Sequence, residues 1–161
     1  MATQHNDDKD FNGTCNFKGA VNLSEATGAG LGKILEIPFT LEDIQAGTLT
    51  SDDLPAGALV RSASIRVTTP LTYSAGTTTG ASLKAGTATD DDAFFANTAL
   101  AGASTGRRFP GAAGALIGMA VPGGTGGVVL TFTPTGGTPS LAEVNAGAGI
   151  VSIDYTVDST S

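Results

Sequence analysis

The residues able to do chemistry are few, and they sit in four places. Asp90-Asp91-Asp92 offers carboxylates to a hard cation such as Ca²⁺, which takes six to eight oxygens. Consecutive side chains diverge, however, and the twelve-residue calcium loop with its central glycine and closing glutamate is absent, so the run reads as a capped, solvated loop and no metal site is expected. GAGLGK (28–33) has the glycines of a phosphate cradle in the wrong places. Thr27 stands where the first glycine of a phosphate loop is needed, and Ile34 where a Ser or Thr should follow Lys33. A nucleophile needs an adjacent base, but the one histidine, His5, and the one cysteine, Cys15, both lie in a polar N-terminal stretch. The fourth place is Arg107-Arg108, followed by Phe109-Pro110. Guanidinium forks hold carboxylates bidentately, so this doublet fits contact with an acidic partner better than catalysis. No catalytic residue, metal or cofactor is expected.

Composition narrows the classes further. Fifteen acids against eight bases give a net charge of −7 without a dense basic stretch, which disfavours nucleic acid and anionic membrane surfaces as partners. No apolar run is long enough to span a bilayer, and the start MATQHNDDKD lacks the pattern of a cleaved signal. The absence of tryptophan, with only Tyr73 and Tyr155 as tyrosines, removes the usual stacking floor for sugar rings. That weakens both a lectin and a glycosidase built on paired carboxylates.

The elements that must position these residues read as β. Ala, Gly, Thr and Ser make up half of the 161 residues, and Leu, Ile, Val and Phe only about 22%, enough for a thin core. Residues 1–30 sustain no period and read as an N-terminal arm whose Phe11 and Phe17 order against a partner. Residues 31–161 read as one domain of six or so short strands. LGKILEIPFT (31–40) is the first, with Pro38 placing it at an edge or bulge. Residues 41–57 read as an irregular connection ending in a Leu54-Pro55-Ala56-Gly57 turn. In ALVRSASIRVTT (58–69), parity puts Leu59, Ala63, Ile65 and Val67 on one face and Val60, Ser62, Ser64 and Arg66 on the other, with Arg61 and Arg66 on opposite faces. Residues 81–85 alternate briefly. TATDDDAFFANTAL (87–100) reads as a loop and a helical turn or two, capped by Thr89 or Asp90 and anchored by Phe94 and Phe95. ALIGMAV (115–121), VVLTFTPT (128–135) and GIVSIDYTV (149–157) complete the strands. The predicted fold is an all-β antiparallel sandwich, jelly-roll-like, with an extended N-terminal arm.

Three segments, DLPAGALVRSASIRVTTP (53–70), LKAGTATDDDAFFANTAL (83–100) and AGAGIVSIDYTV (146–157), resemble the small β-sandwich structural proteins of tailed bacteriophages, of the capsid decoration or cement type. The shared pattern is a strand entered through Pro-Ala-Gly, a Gly-Thr-x-x-Asp-x-Asp turn running into Ala-Phe, and a Val-rich last strand ending in an aromatic residue; together the segments cover roughly a third of the chain. The resemblance implies a virion component, made in the host cytoplasm, that binds the major capsid protein as a homo-oligomer, a trimer suiting the threefold positions of a shell. Phe11, Phe17, Arg107, Arg108 and Phe109 are the expected contacts. A tail-associated or fibre-like adhesin binding a host-surface glycan is the competing reading, and a jelly-roll hydrolase using Asp90 to Asp92 the third.

Overall fold

In the computed structural model, residues 32–74, 76–100, 105–108, 110, 112–122 and 127–157 are described, 107 and 108 by their backbone. The predicted arm, 1–30, lies outside them, as do Phe11, Phe17, Phe109, His5 and Cys15.

Among the described residues, eight strands form two four-stranded antiparallel sheets. They are β1 (Gly32–Phe39), β2 (Thr48–Thr50), β3 (Leu59–Tyr73), β4 (Thr78–Gly86), β5 (Phe95–Ala99), β6 (Gly106–Arg108), β7 (Val129–Gly136) and β8 (Val144–Thr156). The first sheet has the order β1-β8-β3-β6 and the second β2-β7-β4-β5. First strand pairs with last, second with seventh, third with sixth and fourth with fifth, as though a long hairpin had been wound over both sheets. That order makes the sandwich jelly-roll-like.

Alternation explains the strongest strands. β7 turns Leu130 and Phe132 inward, and β8 does the same with Val151 and Ile153, all of them buried. They meet Ile37, Phe39, Ile65 and Val67 of the first sheet and Ala81, Leu83 and Ala85 of the second in one core, where the Phe39 and Phe132 rings lie 5.3 Å apart at 59°. Pro38 sits on β1, an edge strand, where its missing N–H costs no ladder bond. The Pro55 turn forms as predicted: the Ala58 N–H donates to the Pro55 carbonyl (3.0 Å) and Gly57 takes φ 77°.

Four expectations are corrected. Residues 41–57 are not wholly irregular, for they hold helix α1 (Leu41–Ala46) and β2. The Asp43 carboxylate accepts from both the N–H and the hydroxyl of Thr40 (2.8 Å each), Ile44 is buried, and left-handed Gly47 ends the turn. Residues 87–100 contain no helix. The Thr87 hydroxyl accepts from the Asp90 N–H (3.1 Å) in a side-chain-closed turn, and the chain then extends as β5 because the Phe94 N–H binds the Ala85 carbonyl (2.9 Å). Both phenylalanines are nonetheless buried, as expected. Residues 115–121 form a turn through Gly118 (φ 84°) between isolated bridges at Ala113 and Ala120, not a strand. Finally, a bulge between Val60 and Ser62 shifts the phase of β3. Val60 is therefore buried and Leu59 exposed, the reverse of the parity reading, while Ala63, Ile65 and Val67 face inward as predicted.

Candidate interaction surface

The bulge also decides where the arginines go. Arg61 is the extra residue in the shifted register, and both it and Arg66 are exposed. β6 runs antiparallel to β3 along the sheet edge and sets Arg107 in register with Arg66 and Arg108 with Ile65. All four arginines of the sequence therefore lie on two neighbouring strands. Neither β3 nor β6 carries an acidic residue, and neither Arg61 nor Arg66 has an ion-pair partner among the described residues. Asp154 of β8, in register with Ser62, turns toward β1: its Oδ1 lies 3.5 Å from where a Cβ on Gly32 would stand.

Beside this ladder is a half-open cavity of about 140 Å³, lined by Arg61, Ser62, Ala63, Phe94, Phe95, Pro110, Ala113 and Ile117. Its walls are mainly apolar, with Arg61 supplying the charge. Pro110 follows the end of β6 by two residues, so one wall of the cavity comes from the segment after that strand.

The acidic groups are arranged otherwise. Lys84 on β4 pairs with Asp91, and Asp92 shares a hydrogen bond with Asp90 that holds its carboxyl above the ordinary aspartate range, with burial and the charges of Asp90 and Asp91 adding to the effect. No group of three His, Cys, Asp or Glu that could hold a metal ion is found among the described residues. Glu143, in the 3₁₀ turn Leu141–Glu143, reaches across to the β3–β4 connection, where its Oε2 accepts from the Thr78 N–H (2.7 Å) and its carbonyl from the Ser74 N–H (2.8 Å). The Thr78 hydroxyl, the Thr78 N–H and the Thr77 N–H together hold that carboxyl below the ordinary glutamate range, burial offsetting part of the effect. This is a latch between the sheets.

Of the contacts expected from sequence, Phe11, Phe17 and Phe109 lie outside the described residues, and Arg107 and Arg108 fall on β6. Sequence reasoning missed their neighbours Arg61 and Arg66 as parts of one strip, and missed the cavity. The available signal was that every arginine falls within two short segments. No helix among the described residues is long and apolar enough to cross a membrane.

No protein-family model matches the chain, and no curated protein matches it. A solved structure similar in fold is a chain of the capsid asymmetric unit of the cyanophage Pam1, with a TM-score of 0.53 and 22% sequence identity over 80% of this chain and 86% of that one.

Proposed function

We propose that the chain is a non-enzymatic virion structural protein that decorates or cements a phage capsid, binding the major capsid protein as a homo-oligomer, with a trimer favoured. The observation that carries this reading is the fold shared with a chain of a phage capsid asymmetric unit over most of both chains. The three sequence segments that resemble phage structural proteins point the same way. The arm, residues 1–30 with Phe11 and Phe17, and the β6 edge with Arg107, Arg108 and Phe109 are the contacts of this proposal; the exposed Arg61 and Arg66 on the neighbouring β3 suit an acidic site on the shell.

A glycan-binding adhesin has no observation of its own here, since Tyr73 and Tyr155, the residues a sugar would stack on, are half-buried in β3 and β8. The deciding experiment is co-sedimentation of the purified chain with assembled shells, followed by imaging of the decorated particles. Stoichiometric extra density on the shell, lost at high salt and in Arg107→Glu/Arg108→Glu, is the expected result. Failure to bind shells at any salt concentration, with a monomer in solution, overturns it.

A further inference from the structure

The side of β3 that faces β6 is paired in two stretches and open between them. Ile65 to Val67 pair with β6. Further down, Leu59 bridges Ala120, the Val60 N–H donates to the Met119 carbonyl (3.2 Å), and the Gly118 N–H donates to the Val60 carbonyl (2.8 Å). Residues 61–64 have no strand partner on this side among the described residues. The half-open cavity of about 140 Å³ lies at that gap, since Arg61, Ser62 and Ala63 line it.

Its inner surface is apolar and already in place. Phe94 (1% exposed) and Phe95 (0%) line it from the interior, and the more exposed Pro110, Ala113 and Ile117 complete the wall. Backbone contacts hold that wall to the start of β5: Ala113 bridges Phe95, the Gly114 N–H donates to the Phe94 carbonyl (3.0 Å), and the Leu116 N–H donates to the Ala93 carbonyl (2.8 Å). A pocket that needs no rearrangement costs a ligand little ordering. Arg61 is the one charged residue of the lining, is exposed, and has no ion-pair partner among the described residues.

These features specify an occupant. An apolar cavity of ~150 Å³ accepts a benzene-sized group, and a phenyl ring, unlike a phenol or an indole, brings no polar atom against apolar walls. Pockets for free small molecules usually run from about 300 Å³ upward and enclose most of the ligand. A half-open cavity of about 140 Å³ is below that range and matches one side chain projecting from a protein surface, the anchor-in-pocket arrangement of interface hot spots. The described part of a second copy does not offer such a ring, because Phe39, Phe94, Phe95 and Phe132 are all buried. A guanidinium at the same site selects a carboxylate. We infer that the cavity beside Arg61 is a docking site for another protein, which inserts a phenylalanine ring between Phe94, Phe95 and Ile117 and sets a neighbouring Asp or Glu on Arg61.

The test titrates the full ¹⁵N-labelled chain, at low salt and without shells, with capped dipeptides. Phenylalanyl-glutamate should shift the amides of Ser62, Ala63, Phe95 and Ala113, and should bind about fivefold more tightly than phenylalanyl-lysine. Alanyl-glutamate should shift none of them. Arg61→Gln, at an exposed position, should remove the preference for glutamate and keep the ring-dependent shifts. Ala113→Leu, which fills the cavity from its exposed wall, should abolish the shifts, and a dispersed amide spectrum of each variant reports that the sandwich is intact. No shift at these amides in the natural chain overturns the inference, whether the cavity takes nothing or is filled by the chain itself. Equal affinity for the glutamate and lysine peptides overturns it, as do shifts that survive Ala113→Leu or that alanyl-glutamate reproduces. Shifts of the same amides on concentrating the protein alone also overturn it, assigning the cavity to a second copy. With no shell present, these outcomes are separate from whether the chain binds a capsid.

Discussion

The two sheets contribute to one core on equal terms but handle charge differently. In the second sheet Lys84 is matched by Asp91 from the loop that β4 itself leads into, so the charge serves the local fold. In the first, Arg61 and Arg66 stand exposed and unmatched among the described residues, with Arg107 and Arg108 brought alongside in register. An exposed ion pair contributes only about 0–1 kcal/mol, so leaving the Arg61 and Arg66 guanidiniums unpaired costs the fold little. The difference teaches that Arg61 and Arg66 are left to solvent and that the rigidity of the first sheet comes from the shared core. Changes inside should therefore act on stability alike in both sheets, and changes on the ladder should act on binding.

Leu83→Ala in the second sheet and Ile153→Ala in the first break that comparison most directly. Both side chains are fully buried in the shared core, so each truncation should cost about 2–5 kcal/mol in urea unfolding. Loss from only one of the two would show that the sheets do not share their packing. A smaller effect, about 1–3 kcal/mol, is expected for Gly149→Ala on β8. A Cβ there would come within 2.5 Å of the Phe39 ring and 2.7 Å of the Arg66 carbonyl, so Phe39 or β3 must move. The same melts should show Arg66 coupled to the interior through its backbone, with Arg66→Gln close to wild type.

The latch joining the sheets gives the next effect, and it depends on pH. Glu143 is held below the ordinary glutamate value of 4.5 in the folded chain, so its contribution is fully present above that value and is lost as pH falls through the folded pKa. Thermal midpoints measured from pH 6 to pH 3 should fall for the natural chain and fall less steeply for Glu143→Gln. Asp92 has the opposite sign. Its folded pKa is raised, so its crowding with Asp90 weakens the fold as pH rises through that pKa, and Asp92→Asn should melt slightly higher at pH 7 and no differently at pH 3.

How much of this was legible follows the same physics. Strands β7 and β8 were readable because period-two alternation is a local property, and Pro38 marked an edge strand for an equally local reason. Helix α1 was not readable, since in six residues it buries only Ile44 and depends on the Thr40–Asp43 cap. The helix expected at 87–100 was a plausible cap followed by plausible anchors, but Phe94 and Phe95 found their partners on β4 and in the shared core instead of along a helix face. The arginine strip was the least legible feature. It depends on a bulge at Arg61 and on pairing β3 with a three-residue strand some forty positions away, and Gly106-Arg107-Arg108 has no alternation to announce a strand.

The smallest predicted effect concerns the seam where β3 passes toward β4. The Tyr73 hydroxyl is buried without a hydrogen-bond partner among the described residues, and desolvation lifts its pKa above the ordinary value of 10, the nearby Ala81 backbone offsetting only part of the rise. An unsatisfied buried hydroxyl costs more than its removal, because folding takes it from water and returns nothing. Tyr73→Phe keeps the ring and its packing, so it should be neutral or should raise unfolding stability by up to about 1 kcal/mol at neutral pH. The gain should grow above pH 10, where the unfolded natural chain ionises this phenol and the folded chain resists doing so. A variant clearly less stable than the natural chain would mean that the hydroxyl has found a partner, and that the seam between the sheets is held by a polar contact as well as by the Glu143 latch.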